Sequence, residues 1–255
     1  MTSLSPPFMS SRCAHCADSH NLGLDFTMAF QPIVDCVTKS VFGYEALVRG
    51  CNNESAFSII SQISNDKRYG FDQLCRIKAI ALAARLKLSG MLSINFLPNA
   101  IYRPERCIRS TLEAAKKYQF PIKNIMFEFT ENEQAHDSKR IQTIIECYKK
   151  LGFKTAIDDF GSGYSGLSLL ADFQTDIVKL DMALIRNIDQ DKTRQTIVTH
   201  NVNMLKSLNI KVLGEGIESE KEYHFLKGIG IDFAQGYYFA RPGFESLPEV
   251  DTTLI

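Results

Sequence analysis

Short apolar segments alternate with longer segments of helical periodicity along most of the chain after residue 25. The short segments predict eight strands, and apolar residues at helical spacing predict helices between most of them. This strand and helix alternation predicts parallel pairing with right-handed crossovers. The predicted strands cover residues 28–34, 41–48, 91–96, 124–130, 155–158, 177–180, 212–215 and 233–239, and the predicted helices cover residues 55–65, 71–88, 103–118, 137–151, 167–171, 192–208 and 219–226.

The connection between the first two predicted strands is too short for a crossover helix. About six residues, Asp35–Ser40, separate them, so these strands are predicted to be antiparallel if they are neighbours. The eight predicted strands favour an α/β fold closed as a TIM-like (β/α)8 barrel with an antiparallel first strand. A doubly wound open sheet is the alternative. We prefer the barrel because polar residues end nearly every predicted strand, whereas an open sheet gathers its ligands at one switch point.

Residues 1–24 are rich in Ser, Pro, Cys and His and show no hydrophobic periodicity. They are predicted to form an N-terminal tail, followed by one barrel domain over residues 25–255. The tail contains Cys13-x-x-Cys16-x-x-x-His20. This spacing makes Cys13, Cys16 and His20 a candidate zinc site, although a closed zinc site needs four ligands and similar spacing arises incidentally in cysteine-bearing tails.

The overall composition argues against several classes of function. The 29 basic and 29 acidic residues balance, so the chain lacks the bulk positive charge expected of a DNA-binding protein. No apolar stretch approaches the roughly 20 residues of a membrane span, and residues 1–11 lack the features of a signal peptide. The seven cysteines, an odd number, indicate reduced thiols rather than a disulfide framework. We therefore expect a cytoplasmic protein.

Acidic or amide side chains stand at the downstream ends of successive predicted strands. Oxygen ligands that converge from the same ends of neighbouring parallel strands are what hard divalent cations need. For each position taken singly, a helix N-cap or a solvated loop charge is the alternative interpretation. The side chains are Glu45, Asn95, Glu128, Asp158, Asp159, Glu215 and Gln235.

The adjacent pair Asp158 and Asp159 is hard to explain by capping, which would use only one of them. Adjacent residues at a strand end point to opposite faces, but a bend there would let both carboxylates turn toward one centre, where one carboxylate can bridge two cations. Two like charges held close need a cation or a proton between them. The following loop, residues 161–166, contains three glycines in six residues, which permits positive φ and close backbone approach to a ligand. A flexible turn is the alternative for this loop.

Two basic residues accompany these groups. Lys179 lies in an apolar strand two residues before Asp181, and it is either paired structurally or aimed into the barrel mouth. In the mouth it would orient an attacking water or neutralise phosphate. Arg49, four residues after Glu45, has the fork geometry to clamp a phosphate with two hydrogen bonds.

The order of these motifs resembles EAL domains, the bacterial phosphodiesterases that hydrolyse cyclic di-GMP. Glu45-Ala46-Leu47-Val48-Arg49 resembles the name-giving motif, and residues 158–165 resemble the glycine-rich loop signature almost in full. The resemblance extends over about residues 28–245 and the whole ordered series is very specific. Further matching segments are residues 30–33, Asn95, residues 128–131, residues 179–181, residues 215–218 and residues 235–242.

The resemblance implies two sites for divalent cations. Its ligands for one Mg²⁺ or Mn²⁺ correspond to Glu45, Asn95, Glu128 and Asp158, and its ligands for a second ion correspond to Asp158, which bridges, and Asp159.

The resemblance also implies the remaining roles. Lys179 matches the lysine that holds the nucleophilic water, Glu215 the carboxylate proposed as general base or water-mediated metal contact, and Gln235 the amide that supports this water. The residues that match substrate contacts or supporting positions are Gln31, Leu47, Arg49 and Asp181 for the substrate, Glu131 as the anchor of the loop over residues 158–165, and Glu218 behind the metal ligands.

By the same resemblance, water activated between two ions opens one phosphodiester of cyclic di-GMP and yields linear pGpG. It also implies a homodimer and a part in bacterial second-messenger signalling that regulates biofilm formation and motility.

Two other functions are alternatives. Many EAL-like proteins lack a ligand and act as silent cyclic di-GMP receptors or partner-binding regulators, whereas every metal-ligand position here holds the expected residue type. The departures from the family pattern are Gly214 and Gly166, and neither removes a ligand. An unrelated Mg²⁺-dependent barrel enzyme that acts on a sugar phosphate or carboxylate is the third hypothesis. The filled ligand positions favour catalysis.

Overall fold

The structure, a computed structural model, describes residues 24–98, 101, 103–130, 138–163 and 166–255. Its strands are β1 (Phe26–Asp35), β2 (Ser40–Gly50), β3 (Met91–Asn95), β4 (Ile125–Thr130), β5 (Lys154–Phe160), β6 (Ile177–Leu180), β7 (Lys211–Gly214), β8 (Phe233–Ala234) and β9 (Gly243–Phe244).

The sheet closes on itself. Strands β2 to β8 follow one another in chain order, and β1 closes the ring by pairing with both β8 and β2. The strands from β2 to β8 are parallel to their neighbours, whereas β1 is antiparallel to β2 and to β8. The predicted TIM-like (β/α)8 barrel with an antiparallel first strand is confirmed.

Helices between the strands cover the outside of the barrel with apolar faces. The best-defined start is that of the last helix, where the side chain of Ser219 accepts from Glu222 N–H and the Glu222 side chain accepts from the Ser219 N–H. Among the described helices, none has both the length and the apolar character needed to cross a membrane. The helices are α1 (Ala56–Ile60), α2 (Arg68–Arg85), α3 (Pro104–Cys107), α4 (Arg109–Lys117), α5 (Ser138–Lys150), α6 (Gly166–Asp172), α7 (Met182–Ile185), α8 (Lys192–Ser207) and α9 (Glu220–Ile229).

The last predicted strand, residues 233–239, is shorter in the structure. Strand β8 ends at Ala234 because the chain then folds over the loop that follows β7. Ile217 N–H donates to Gln235 O at 3.1 Å, and Tyr238 N–H donates to Ile217 O at 3.0 Å. A Cβ on Gly236 would lie 2.0 Å from Ile217 O, so this close approach requires glycine.

Four other elements differ from the prediction. The helix predicted over residues 103–118 is divided at Ile108 into α3 and α4. The helix predicted over residues 55–65 ends at Ile60, and a short 3₁₀ turn, Asn65–Lys67, follows. Helix α7 was not predicted, and it begins where the Asp181 side chain accepts from Ala183 N–H at 2.7 Å. Strand β9 was not predicted either, because its two residues gain strand geometry only by pairing with β1.

An apolar layer fills the barrel interior at the end where the parallel strands begin. The rings of Phe42 and Phe233 stack there with centroids 4.1 Å apart. Because this layer closes one end, the polar side chains farther along the strands face the other end. The buried members of the layer are Ile33, Met126, Ala156, Ile177, Leu213 and Phe233.

The same end of the barrel carries a repeated aspartate clamp. Asp176, just before β6, accepts from Thr155 N–H at 3.0 Å and from Lys154 Nζ at 2.8 Å. Asp232, just before β8, accepts from the N–H of Val212 at 2.9 Å and from the Nζ of Lys211 at 2.6 Å. Each aspartate thereby ties the start of its strand to the preceding strand.

Candidate active site

The alternation of side chains along each strand turns the predicted ligands into the barrel. Glu128 lies between Phe127 and Phe129 on β4, and these rings pack outward against Tyr148 and Phe173. Since successive side chains of a strand point to opposite faces, Glu128 points inward. It is fully buried. The same rule places Lys179 and Glu45 inside, because their neighbours on β6 and β2 belong to the outer core.

Lys179 lies at the centre of this interior. Its Nζ is 2.7 Å from Glu215 Oε1, 2.9 Å from Glu128 Oε2, 3.0 Å from Asp158 Oδ1 and 3.6 Å from Glu45 Oε2. Burial by itself would lower the pKa of Lys179, but the carboxylates, Asp158 foremost, hold that pKa well above its usual range. The lysine is therefore a fixed ammonium that gathers carboxylates from four strand ends.

Two amides orient Glu45. Asn95 Nδ2 donates to Glu45 Oε1 at 3.0 Å, and Gln235 Nε2 donates to Glu45 Oε2 at 2.8 Å. The β2–β3 register helps to bring Asn95 to Glu45, because Glu45 is the partner of Ser93 and Asn95 is two residues farther along β3 on the same face. Each oxygen of the Glu45 carboxylate is thus held by one amide donor.

The bend expected at Asp158 and Asp159 is present. Asp159 has a φ of 53°, and the β5–β6 register shifts between Ile157 and Phe160. This irregularity turns Asp159 to the side of Asp158, whereas strict alternation would turn it away. The loop continues through Gly161 with a φ of 97°, where a Cβ would lie 2.5 Å from Leu184 Cδ1.

The carboxylates form two groups with oxygens within 4.8 Å of one another, Glu45–Glu128–Asp158 and Asp158–Asp159–Glu215. Asp158 belongs to both. Four of these five carboxylates lie 2.7–3.6 Å from the single ammonium of Lys179, and such an excess of negative charge is compensated by cations or by protons. All the donors are oxygens, which suits Mg²⁺, Mn²⁺ or Ca²⁺. Within the part of the chain that the structure describes, Glu128 Oε1 and Gln235 Oε1 are also buried without a hydrogen-bond partner. These residues fit two divalent cations.

The pKa values of the carboxyl groups show the effect of this burial and crowding. Burial raises the pKa of Glu128 to about 8, against the opposing effect of Lys179. Burial and then the charge of Asp158 raise the pKa of Glu215 well above its usual range, and they raise the pKa of Asp159 to about 6. Without cations, these crowded carboxyl groups therefore hold their protons to a higher pH than isolated ones would.

The predicted substrate contacts lie around this centre. Gln31 is buried on β1, and its Nε2 donates to Ala240 O at 3.3 Å. Leu47 and Arg49 follow Glu45 at alternate positions of β2, so they share its side of the sheet toward the downstream end. Arg49 is half-buried, and its Nη1 donates to Val48 O at 2.7 Å.

Asp181 is buried at the start of α7, and its charge contributes to the raised pKa of Asp159, after burial and Asp158. Glu218 is not brought into the centre. Its side chain is 49% exposed and pairs with Arg186, with Nη1 to Oε2 at 2.6 Å. The predicted loop anchor Glu131 and the candidate zinc ligands lie outside the described residues.

Two charged residues behind the centre were missed by the sequence analysis. Asp72 and Arg76 form a buried ion pair on α2, with Nη2 to Oδ2 at 2.7 Å. The sequence offered one signal for this pair. Asp72 and Arg76 are spaced i, i+4 among the apolar residues of a helix, whereas such charged pairs usually lie on the solvated face.

Comparison with known proteins identifies a matching family model and several relatives. The model of the EAL domain family matches residues 19–242. The blue light- and temperature-regulated antirepressor BluF of Escherichia coli K12 is 30% identical over 87% of this chain. The cyclic di-GMP phosphodiesterase PA2567 of Pseudomonas aeruginosa is 27% identical over 88% of this chain. The chain spans 55% of the length of BluF and 39% of the length of PA2567.

Solved structures agree with this fold. A standalone versatile EAL protein from Vibrio cholerae O395, in its c-di-GMP bound form, is 66% identical with a TM-score of 0.89, covering 92% of this chain and 99% of that chain. The manganese/cy-diGMP complex of Klebsiella pneumoniae BlrP1 at pH 9.0 is 34% identical with a TM-score of 0.84, covering 91% of this chain and 59% of that chain.

Proposed function

This chain belongs to the EAL domain family, and from that premise we propose that it hydrolyses cyclic di-GMP to linear pGpG. The observation that carries the proposal is the pair of carboxylate groups that share Asp158 around the buried Lys179. A receptor that only binds the dinucleotide has no need of five carboxylates at its centre, because the ligand itself is anionic.

The residues that would hold one Mg²⁺ or Mn²⁺ are Glu45, Asn95, Glu128 and Asp158, and Asp158 with Asp159 would hold a second. When bound, two such ions neutralise charge on the phosphoryl oxygens and lower the pKa of the attacking water. Support for these ions comes from the all-oxygen donor set and from the manganese/cy-diGMP complex of BlrP1.

The reaction adds water across one phosphodiester. A new P–O bond forms, the P–O3′ bond breaks, and a proton ends on the 3′-hydroxyl of pGpG. We assign to Lys179 the role of orienting the water through Nζ, and the fixed position of its ammonium among four carboxylates supports this role. We assign to Glu215, whose Oε1 is 2.7 Å from that Nζ, the role of accepting the proton of the water.

For substrate binding we propose the residues that the family resemblance implies. Cyclic di-GMP carries two phosphodiester anions, and Arg49 lies downstream of Glu45 where a guanidinium can pair with one of them. Gln31 and Leu47 offer an amide and an apolar surface on the neighbouring positions, and Asp181 offers a carboxylate acceptor for a guanine N–H. We further propose that the protein is a homodimer, which light scattering after size-exclusion chromatography would test.

A regulatory protein without catalysis is the second candidate function. It is favoured by one observation, the similarity to an antirepressor, BluF, at 30% identity. The two candidates share the fold and separate on turnover.

The deciding experiment incubates the pure protein with cyclic di-GMP and Mg²⁺ and follows pGpG by chromatography. We expect metal-dependent formation of pGpG that EDTA abolishes. Binding of cyclic di-GMP without turnover would replace the proposal by the regulatory function. Failure to bind cyclic di-GMP even with Ca²⁺ present would instead favour a barrel enzyme with another substrate.

A further inference from the structure

A fully buried ion pair lies between the barrel and two of its helices. Arg76 and Asp72 on α2 are 0% and 1% exposed, with Arg76 Nη2 2.7 Å from Asp72 Oδ2. Arg76 Nη1 also donates to the hydroxyl of Tyr148 on α5 at 3.1 Å. The pair therefore joins α2 to α5 behind strands β3 and β4.

The pair contacts residues next to two of the proposed metal ligands. The Arg76 guanidinium lies over the rings of Phe96 and Phe127, 5.6 Å and 5.0 Å from their centroids. Phe96 follows Asn95, and Phe127 precedes Glu128. A movement of the guanidinium would therefore displace the ring of a residue adjacent to each proposed ligand.

The backbone after Asn95 is fastened at two successive amides. Phe96 N–H donates to Glu128 O at 2.9 Å, which continues the β3–β4 ladder by one residue. Leu97 N–H has left the ladder and donates to Asp72 Oδ1 at 3.0 Å. The hydrogen bond to Asp72 thus fixes the direction of the backbone where it leaves the barrel, two residues after Asn95.

Stability alone is a poor reason for such a pair. Taking two charges out of water opposes folding, and apolar residues of similar volume often replace a buried pair without loss of stability. Apolar residues, however, cannot accept a hydrogen bond from the N–H of Leu97. The carboxylate of Asp72 supplies that acceptor, and Arg76 keeps the buried carboxylate in place.

We propose that Asp72, braced by Arg76, is a positioning residue that fixes the end of β3 and so holds Asn95 in place as a ligand for the divalent cation. The inference rests on the proposed function, because it assumes that Asn95 binds the metal. An amide binds a cation through its carbonyl oxygen, and Asn95 Nδ2 is already committed to Glu45 at 3.0 Å. A shift of the backbone at Asn95 would therefore move its amide relative to Glu45, the hydrogen-bond partner that orients it.

The test compares two double variants that both remove the buried charges. In D72L/R76M the acceptor for Leu97 N–H is lost, whereas in D72N/R76M an amide oxygen remains to accept it. The affinity for Mn²⁺ alone is measured by calorimetry without substrate. We expect D72L/R76M to bind Mn²⁺ about tenfold more weakly, or worse, as residues that support metal ligands commonly do when replaced. D72N/R76M is expected to stay within about threefold of the wild type, on the same scale.

A matched control separates positioning from general loss of stability. Leu205→Ala removes a fully buried side chain on α8, remote from β3, and should destabilise the fold without changing the affinity for Mn²⁺. In turnover assays, D72L/R76M should raise the Mn²⁺ concentration needed for half-maximal rate, with kcat at saturating metal close to that of the wild type. If D72L/R76M does not fold, Leu97→Pro removes the same N–H donor and should weaken Mn²⁺ binding to a similar degree.

The outcomes are distinct. Unchanged Mn²⁺ affinity in D72L/R76M, or equal weakening in D72N/R76M, would overturn the positioning role while the wild type still produces pGpG. If the wild type itself bound no Mn²⁺ and gave no pGpG, the proposed function would fail first.

Discussion

At the scale of single residues, the backbone of Asp159 explains how two adjacent carboxylates serve one centre. Its φ of 53° lies in the left-handed region, which non-glycine residues adopt rarely and which asparagine and aspartate adopt most readily. That conformation brings its carboxylate into one group with Asp158 and Glu215. The centre thus depends on one strained residue as much as on the charges themselves.

Asp159→Asn is the substitution that tests this arrangement most directly. Asparagine tolerates positive φ, so the fold and its melting temperature should be retained. The proposed turnover of cyclic di-GMP should fall by more than about a hundredfold, because Asp159 is a proposed metal ligand and loss of a ligand costs more than loss of a supporting residue. Steady-state rates at saturating Mg²⁺, with thermal melts of the same samples, provide the measurement.

Asp172→Asn is the matched control, since it makes the same change at an exposed aspartate at the end of α6. It should leave the rate unchanged. A near-normal rate for Asp159→Asn would refute the two-metal site.

At the scale of elements, the repeated aspartate clamp stabilises the closed end of the barrel. Partial burial alone would raise the pKa of Asp176, but the hydrogen bonds it accepts from an ammonium and from a backbone N–H, with the nearby lysine charges, together outweigh burial. The pKa of Asp176 is therefore lowered. A carboxylate with a lowered pKa contributes stability above its unfolded pKa, and this contribution is lost as pH falls through the folded pKa.

Asp176→Ala should accordingly lower the free energy of unfolding by about 1–2 kcal/mol at pH 7. The difference from the wild type should be smaller near pH 3 than at pH 7, because it begins to shrink as pH falls below the unfolded pKa of 3.8 toward the lowered folded pKa. Urea unfolding of both proteins at pH 7 and at pH 3 measures this difference in the free energy of unfolding. Turnover should be unchanged, because the clamp lies at the opposite end of the barrel from the carboxylate centre. A difference that stayed constant down to pH 3 would show that charge has no part in the clamp.

At the scale of the whole molecule, the carboxylate centre couples stability to pH and to metal. Burial raises the pKa of Glu128 from 4.5 to about 8 and that of Asp159 from 3.8 to about 6. A group whose folded pKa is raised stabilises the fold fully below its unfolded pKa, and this contribution is lost as pH rises through the folded pKa. The centre therefore opposes folding of the metal-free protein most strongly at alkaline pH.

We expect the melting temperature in EDTA to decrease between pH 5 and pH 8, over the window set by these two pKa values. Mn²⁺ should restore it, and the increase should be larger at pH 8, because ions that bind the folded state compete with protons for the same oxygens. Glu128→Gln should flatten the dependence on pH in EDTA. A wild-type melting temperature that did not change with pH would contradict the electrostatic account of the centre.

Much of the candidate site could be predicted because local patterns carry it. Glu45, Glu128 and Lys179 each lie among apolar residues in a strand, and alternation is enough to send them to the inner face. Glu218 shows the limit of that reasoning. It belongs to a matching motif, yet it lies on the surface with Arg186, because the chain turns outward after β7 before α9 begins.

The order of strands and helices and the chemistry at the strand ends were determined by the sequence itself, since period and residue type are local properties. Only the tertiary structure decided that β8 stops at Ala234, where Gly236 meets Ile217, and that Asp72 receives the amide of Leu97. These features depend on contacts between segments far apart in the chain, and no local pattern encodes which distant backbone groups packing will bring together.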